Sequence, residues 1–261
     1  MNLSFDNTEV AFAYKTDKGL KSAKRLFSTM TYPVLTAMGV RFTPFLVKTG
    51  LPIDGLIRQT IFKQFVGGET LEETVPVCEM LNRYGVDVIL DYGVEGKENE
   101  ESFDHTADEF IRVLRFAASQ KNIPVIAIKV TGLARFGLLE KLNEAPRLRS
   151  GVHDSESEKA EWERVRNRMI RICDAAIEKG IGVLVDAEES WIQDPIDRIT
   201  MEMMENYNKD KAVVYNTIQL YRHDWLDFLK LSHSISKELN FILGVKLVLG
   251  AYMEKERERA A

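Results

Sequence analysis

The chain has 261 residues, 45% hydrophobic and 29% charged, with 40 Asp and Glu against 35 Lys and Arg for a net charge of −5. That composition supplies core for one large domain or two small ones, and its mild acidity excludes a general nucleic-acid binder, which needs clustered excess cations. Cys78 and Cys173 lie far apart on apolar helix faces and read as small buried hydrophobes in a reducing compartment, while His105, His153, His223 and His233 lack ligand spacing, so no metal site is expected.

No run of 18 apolar residues spans a membrane. Residues 1–25 lack the apolar core of a secretory signal. The cytoplasm is the expected compartment, with a peripheral contact to a membrane surface as a further expectation.

In chain order, residues 1–68 show no strand pattern. KGLKSAKRLFSTMTYPVLTAMGVRFTPFLVKTG predicts helices broken near Pro33 and Pro44, forming an N-terminal helical arm. Residues 69–261 are expected to form the βα domain. Thr70 and Glu73 have capping-box spacing for a helix that ends at Tyr84-Gly85, with Pro76 kinking it. Near-continuous apolar runs then predict buried parallel strands at Val86–Asp91, Pro124–Lys129, Ile181–Asp186, Ala212–Gln219 and Ile242–Leu249. A short helix and a polar loop are expected in LARFGLLEKLNEAPRLRSGVHDSESEK. Trp162, Val165, Met169, Ile172, Cys173 and Ala176 form one stripe of a helix over Glu158–Lys179, stopped by Gly180. Asp194-Pro195 reads as a cap and first-turn proline opening a helix to about Tyr207. Asp224–Leu239 is amphipathic, and AYMEKERERAA starts a polar helix. Strand then helix, five times, is an α/β rhythm. Five strands cannot close an eight-stranded barrel.

VLVDAEESWIQD runs a buried strand into Asp186, Glu188 and Glu189. Asp91, Lys129, Asp186 and Gln219 each sit at or next to a strand's last residue, where ligands bind in parallel sheets and βα-barrels. Each has a plainer reading. Asp91 is expected to cap the next helix. Lys129 can be a rim lysine with a buried stem, and Asp186 can pair with it. Glu188 and Glu189 are expected to be solvated or bound to loop backbone. Gln219 is harder to dismiss, because a buried amide needs partners. Lys246 interrupts an apolar run and must meet a carboxylate, a ligand or water. Gly250 suggests a close backbone approach or a tight turn. Neither GxGxxG after a strand nor GxxxxGK[ST] is present.

Together QFVGGETLEE, VILDYGVEGKE, AIKVTGLARFGLLEK, VLVDAEESWIQD, VVYNTIQLYRHD and VKLVLGAYMEKER resemble proline dehydrogenase in its stand-alone form, from about residue 8 to the end. The resemblance implies a (βα)8 TIM-barrel-type fold with FAD at the carboxyl ends of the strands, here about five βα units behind the helical arm. It implies hydride transfer from L-proline to FAD, formation of Δ1-pyrroline-5-carboxylate, and a quinone electron acceptor. By motif, Lys129 binds the proline carboxylate beside the flavin, Asp186 orients polar groups around the substrate, and Tyr252 lines the pocket. Leu247 packs on the proline ring, and Glu95 resembles the acidic gate. Gln219 holds the polar edge of the isoalloxazine, with Lys246 and the backbone of Val248 and Gly250 against the flavin. Glu188 and Glu189 support Asp186. The sequence departs at Lys246, where many members carry arginine, and at Leu249, where a basic residue is usual. The family pattern also continues with three more strands and a helix bearing an arginine pair. A truncated proline dehydrogenase is therefore expected. Its rivals are a non-catalytic barrel remnant that binds a partner, and a lyase using Lys129 as a Schiff-base nucleophile.

Overall fold

The structure is a computed structural model that describes residues 6–49, 54–93, 98–144, 155–250 and 252–261. Its contacts divide into two compact units, Met1–Val86 and Asp87–Ala261.

The first unit is helical. It contains α1 (Thr8–Ala11), α2 (Asp17–Met30), α3 (Pro33–Lys48), α4 (Asp54–Ile57), a π-helical turn at Arg58–Phe62, α5 (Lys63–Phe65) and α6 (Leu71–Asn82). The expected break at Pro33 is present, because Pro33 opens α3. The expected break at Pro44 is not: α3 runs through it. Thr70 caps α6 by accepting the Glu73 N–H at 3.3 Å. Glu73 answers one residue earlier than a standard box, accepting the Glu69 N–H at 2.8 Å.

The second unit carries β1 (Ile89–Asp91), α7 (Glu100–Ser119), β2 (Val125–Ile128), a 3-10 turn at Val130–Gly132, α8 (Phe136–Glu144), α9 (Glu156–Lys179), β3 (Gly182–Val185), α10 (Ser190–Tyr207), β4 (Val214–Gln219), α11 (Trp225–Glu238), β5 (Val245–Val248) and α12 (Met253–Ala260). Every expected strand is present: β1 and β4 are shortened at their starts, the others at both ends. The sheet is fully parallel, in the order β1-β2-β3-β4-β5. A doubly wound sheet reverses its order at a switch point, and this one does not. Successive right-handed crossovers in one direction put every helix on the same face. The other face is left to curve inward, which is how a (βα)8-type barrel is built. The molecule is therefore an α/β protein with five βα units of a barrel-type sheet.

The two faces separate as strand alternation requires. Ile126, Ile128, Val183, Val185, Val214 and Ile218 are buried on the helix side. On the other side the register aligns Asp91 with Ala127, Ala127 with Leu184, Leu184 with Tyr215, and Thr217 with Lys246. The α7–α9 seam is closed by Phe103, Phe110, Leu114, Val165, Met169 and Ile172. The apolar stripe of α9 also hides a cation. Arg168 is buried, donates to Asp104 at 2.7 Å and to the Leu133 carbonyl at 3.0 Å, and pairs with Glu100. Gly180 ends α9 in the left-handed region, at φ 70°.

Two local expectations are corrected. α10 begins at Ser190, so Asp194 is not its cap and Pro195 lies inside it. Asp91 ends β1 and does not cap α7; Asn99 does, accepting the Ser102 N–H at 2.8 Å. Most of the polar loop expected before α9, His153 included, lies outside the described residues.

Candidate active site

The carboxyl ends of β2, β3 and β4 carry Lys129, Asp186 and Gln219, and Lys246 lies inside β5. Lys129 follows β2 directly and leads into the Val130–Gly132 turn. Asp186 follows β3, its N–H donating to the Ile128 carbonyl at 2.9 Å, so the ladder holds it in place. Its carboxylate pairs with the Lys246 ammonium from β5, not with Lys129. Thus the lysine that interrupts an apolar strand finds a carboxylate two strands away, as its cost when unpaired demands.

Glu188 is buried rather than solvated. Thr131 donates its backbone N–H at 3.1 Å and its hydroxyl to the carboxylate. Burial outweighs these bonds and pushes the Glu188 carboxyl up to about 7. The backbone is held as well: Gln193 accepts the Glu188 N–H at 2.8 Å, and Gln219 Nε2 donates to the Glu188 carbonyl. Glu189 stands at the start of α10 and pairs with Lys255. Glu188 thus binds the turn after β2, whereas Glu189 binds a side chain of α12.

Gln219 closes β4 and is buried, and its Oε1 has no hydrogen-bond partner among the described residues. Lys246 and Val248 share a sheet face with Thr217 and Gln219 through the β4–β5 register. Leu247 does not: it pairs in register with Ile218, on the opposite face, and is 54% exposed. The Val248 carbonyl accepts the Leu220 N–H at 2.8 Å, so sheet pairing uses it. Gly250 has φ 127°, and a Cβ there would lie 2.1 Å from a Tyr221 ring carbon. The close approach that this glycine signals is made by a tyrosine ring. Tyr252 precedes α12, half-buried, with the Lys255 ammonium 5.3 Å from its ring centre. Glu95 lies outside the described residues.

Sequence reasoning missed the group behind Gln219. Asp197, inside α10, is buried and accepts from Gln193 Nε2 and Asn216 Nδ2, both at 2.9 Å. Burial pushes its carboxyl up to about 6. The available signal was Asn216, a polar residue at a core position of VVYNTIQ that had to be satisfied. No group of three or more His, Cys, Asp and Glu side chains among the described residues is placed to hold a metal.

A sequential parallel βα sheet defines a barrel-type α/β protein, a class whose ligand sites lie at the carboxyl ends of the strands, the side where Lys129 and Asp186 stand. Residues 75–261 match the family model for proline dehydrogenase. The chain belongs to the proline dehydrogenase family. The carbapenem antibiotics biosynthesis protein CarD of Pectobacterium carotovorum subsp. carotovorum is 35% identical over 193 residues, covering 74% of this chain and 50% of that protein. Mitochondrial proline dehydrogenase 1 of Dictyostelium discoideum is 33% identical over 258 residues, covering 84% and 45%. Proline utilization A (PutA) from Bdellovibrio bacteriovorus, inactivated by N-propargylglycine, superposes with a TM-score of 0.63 at 15% identity, over 98% of this chain and 27% of that one. That likeness concerns the fold alone. The chain spans about half the length of the curated relatives it matches.

Proposed function

We propose that this chain carries a flavin- and proline-facing part of a proline-oxidising active site. The residues suit a flavin. Gln219 Oε1 is a buried acceptor without a partner among the described residues, matched to an N–H on a flavin's polar edge. Lys129, directly after β2, and Lys246, inside β5, are cations suited to the negative charge that a flavin gains on reduction. Bound there, FAD would supply the hydride acceptor for oxidation of L-proline to Δ1-pyrroline-5-carboxylate, with a membrane quinone as the final electron sink.

The chain's own residues do the binding and orienting. Lys129 offers a fixed cation for the substrate carboxylate. Asp186 holds Lys246 in place and so orients a cationic group for the substrate. Gln219 fixes the cofactor's polar edge, and Tyr252 bounds the substrate side. Both reactants are thereby held before any bond changes. The observation that carries this reading is the Asp186–Lys246 pair on the sheet face shared with Gln219.

The test uses purified chain mixed with FAD, freed of excess, and scanned in the visible range before and after anaerobic L-proline. A retained flavin band that bleaches with proline is the expected result. A colourless protein overturns the reading for this chain.

A further inference from the structure

Behind Gln219 runs a chain of buried hydrogen bonds that the proposed reaction does not itself use. Its far end is Asp197. That carboxylate accepts at Oδ1 from Gln193 Nε2 and from Asn216 Nδ2. Gln193 has then committed its nitrogen, so its oxygen turns the other way and accepts the Glu188 N–H at 2.8 Å. Thr131 anchors the same residue through the carboxylate, with an N–H bond of 3.1 Å and its hydroxyl. Glu188 is therefore fixed at its amide and its side chain, and its carbonyl stands in one place. A backbone carbonyl can only accept. Gln219 must present Nε2 to it, and does. Asp197, Gln193, Glu188, Asn216 and Gln219 are all at least nine-tenths buried, so water offers these groups little competition.

The consequence is a polarity. A glutamine amide is ambidextrous: turned over, it offers a donor where it had offered an acceptor. Here its nitrogen is taken and its oxygen is left. We propose that Asp197 and Gln193 are positioning residues for Gln219, holding its amide with the nitrogen on Glu188 and the oxygen free, so that the site takes a ligand whose polar edge presents an N–H donor, as an imide does. The flavin part of this inference rests on the proline-oxidation reading, since the isoalloxazine carries one imide N–H. The positioning part does not, because it concerns contacts within the protein.

The test reads Gln219 directly. Its side-chain amide resonance is assigned by its disappearance in Gln219→Met, and its hydrogen exchange is compared with that of a free glutamine side chain in solution. In the wild-type chain the amide bonded to Glu188 should exchange at least about tenfold more slowly, with a through-bond coupling to the Glu188 carbonyl carbon. Gln193→Met keeps the volume but removes the amide, and should erase most of that protection. Asp197→Leu should do the same, whereas Asp197→Asn keeps an oxygen acceptor and should restore it. Circular dichroism shows whether each variant folds. If the disruptive variants fail to fold, the wild-type coupling still decides: its absence overturns the proposal. Unchanged protection in folded Gln193→Met also overturns it.

A second arm compares the affinity of FAD with that of its N3-methylated analogue, which lacks the imide N–H. The wild-type chain should favour FAD by about tenfold, and Gln193→Met should shrink that preference. Equal affinities overturn the ligand assignment. If neither flavin binds while the Gln219 protection behaves as stated, the positioning stands and the proline-oxidation reading fails, so the two failures are told apart.

Discussion

The Lys246 ammonium lies against Asp186 with side chains 31% and 19% exposed, a pair that water still partly screens. Its net coupling is on the order of 1 kcal/mol. Lys246→Met should therefore shift a urea midpoint only slightly, yet abolish proline-dependent flavin bleaching by stripping a cation from the site. Lys246→Arg should keep the bleaching. A Lys246→Met chain that bleaches at the wild-type rate would remove Lys246 from the site. Glu188 makes a different prediction. Burial raises its carboxyl from 4.5 to about 7, so between those values the folded chain keeps a proton that the unfolded chain gives up. Stability is then fully present below pH 4.5, falls as pH rises through the window, and levels off above about 7. The loss is on the order of 3 kcal/mol over the whole window. Asp197, raised to about 6 by burial, acts with the same sign. Glu188→Gln keeps the Thr131 contacts and should flatten this dependence, read as urea midpoints at about pH 5 and about pH 8. Identical slopes in the two proteins would sink it. At this scale the strand-end residues were legible, because alternation and apolar runs locate strand ends. The group behind Gln219 was not. Thr131, Glu188, Gln193, Asp197 and Asn216 come from three segments, and no local pattern announces their pairing.

The start of α10 shows why an element boundary can hide from its own sequence. Glu189, at its N-cap position, makes no side-chain cap bond. Instead Glu256 of α12 accepts the Ser190 N–H and hydroxyl, each at 2.7 Å. The cap is supplied from 66 residues away, while Asp194-Pro195 imitates a local one. Lys255 with Glu189, and Arg259 with Glu140 and over the Trp191 ring at 4.5 Å, complete the attachment of α12. Glu256→Ala should lower stability by about 1 kcal/mol, the usual worth of a cap, and should raise hydrogen exchange across Met253–Ala260. Exchange there that does not change would mean that Glu256 does not hold the helix. The turn between β5 and α12 is as specific. Gly250→Ala adds a Cβ 2.1 Å from the Tyr221 ring at φ 127°, and should destabilise the chain by roughly 2–4 kcal/mol. Gly250→Ala combined with Tyr221→Ala should recover the steric part but not the backbone part. A melt that is no worse for Gly250→Ala would show that the ring moves aside freely.

At the scale of the whole sheet, order and parallelism followed from the repeated strand–helix rhythm, because right-handed crossovers leave few arrangements for it. What the rhythm did not reveal is how differently the strands are covered. β3 is buried along three successive residues, Val183, Leu184 and Val185. β5 pairs with β4 on one side only among the described residues, and Leu247 and Leu249 are 54% and 81% exposed. At the other edge Ile89 is 53% exposed. Edge strands that carry bare apolar side chains are templates for pairing between chains, and a charged residue on the edge is the common device that prevents it. Leu249, just past β5, is bare and apolar where the family resemblance leads one to expect a basic residue. The isolated 261-residue chain should therefore associate as its concentration rises, and Leu249→Lys should weaken that association by about tenfold or more without lowering the melting temperature. Sedimentation across a concentration series measures both proteins. A wild-type chain that stays monomeric throughout, or a Leu249→Lys chain that associates as strongly, would show that the β5 edge is not where copies meet.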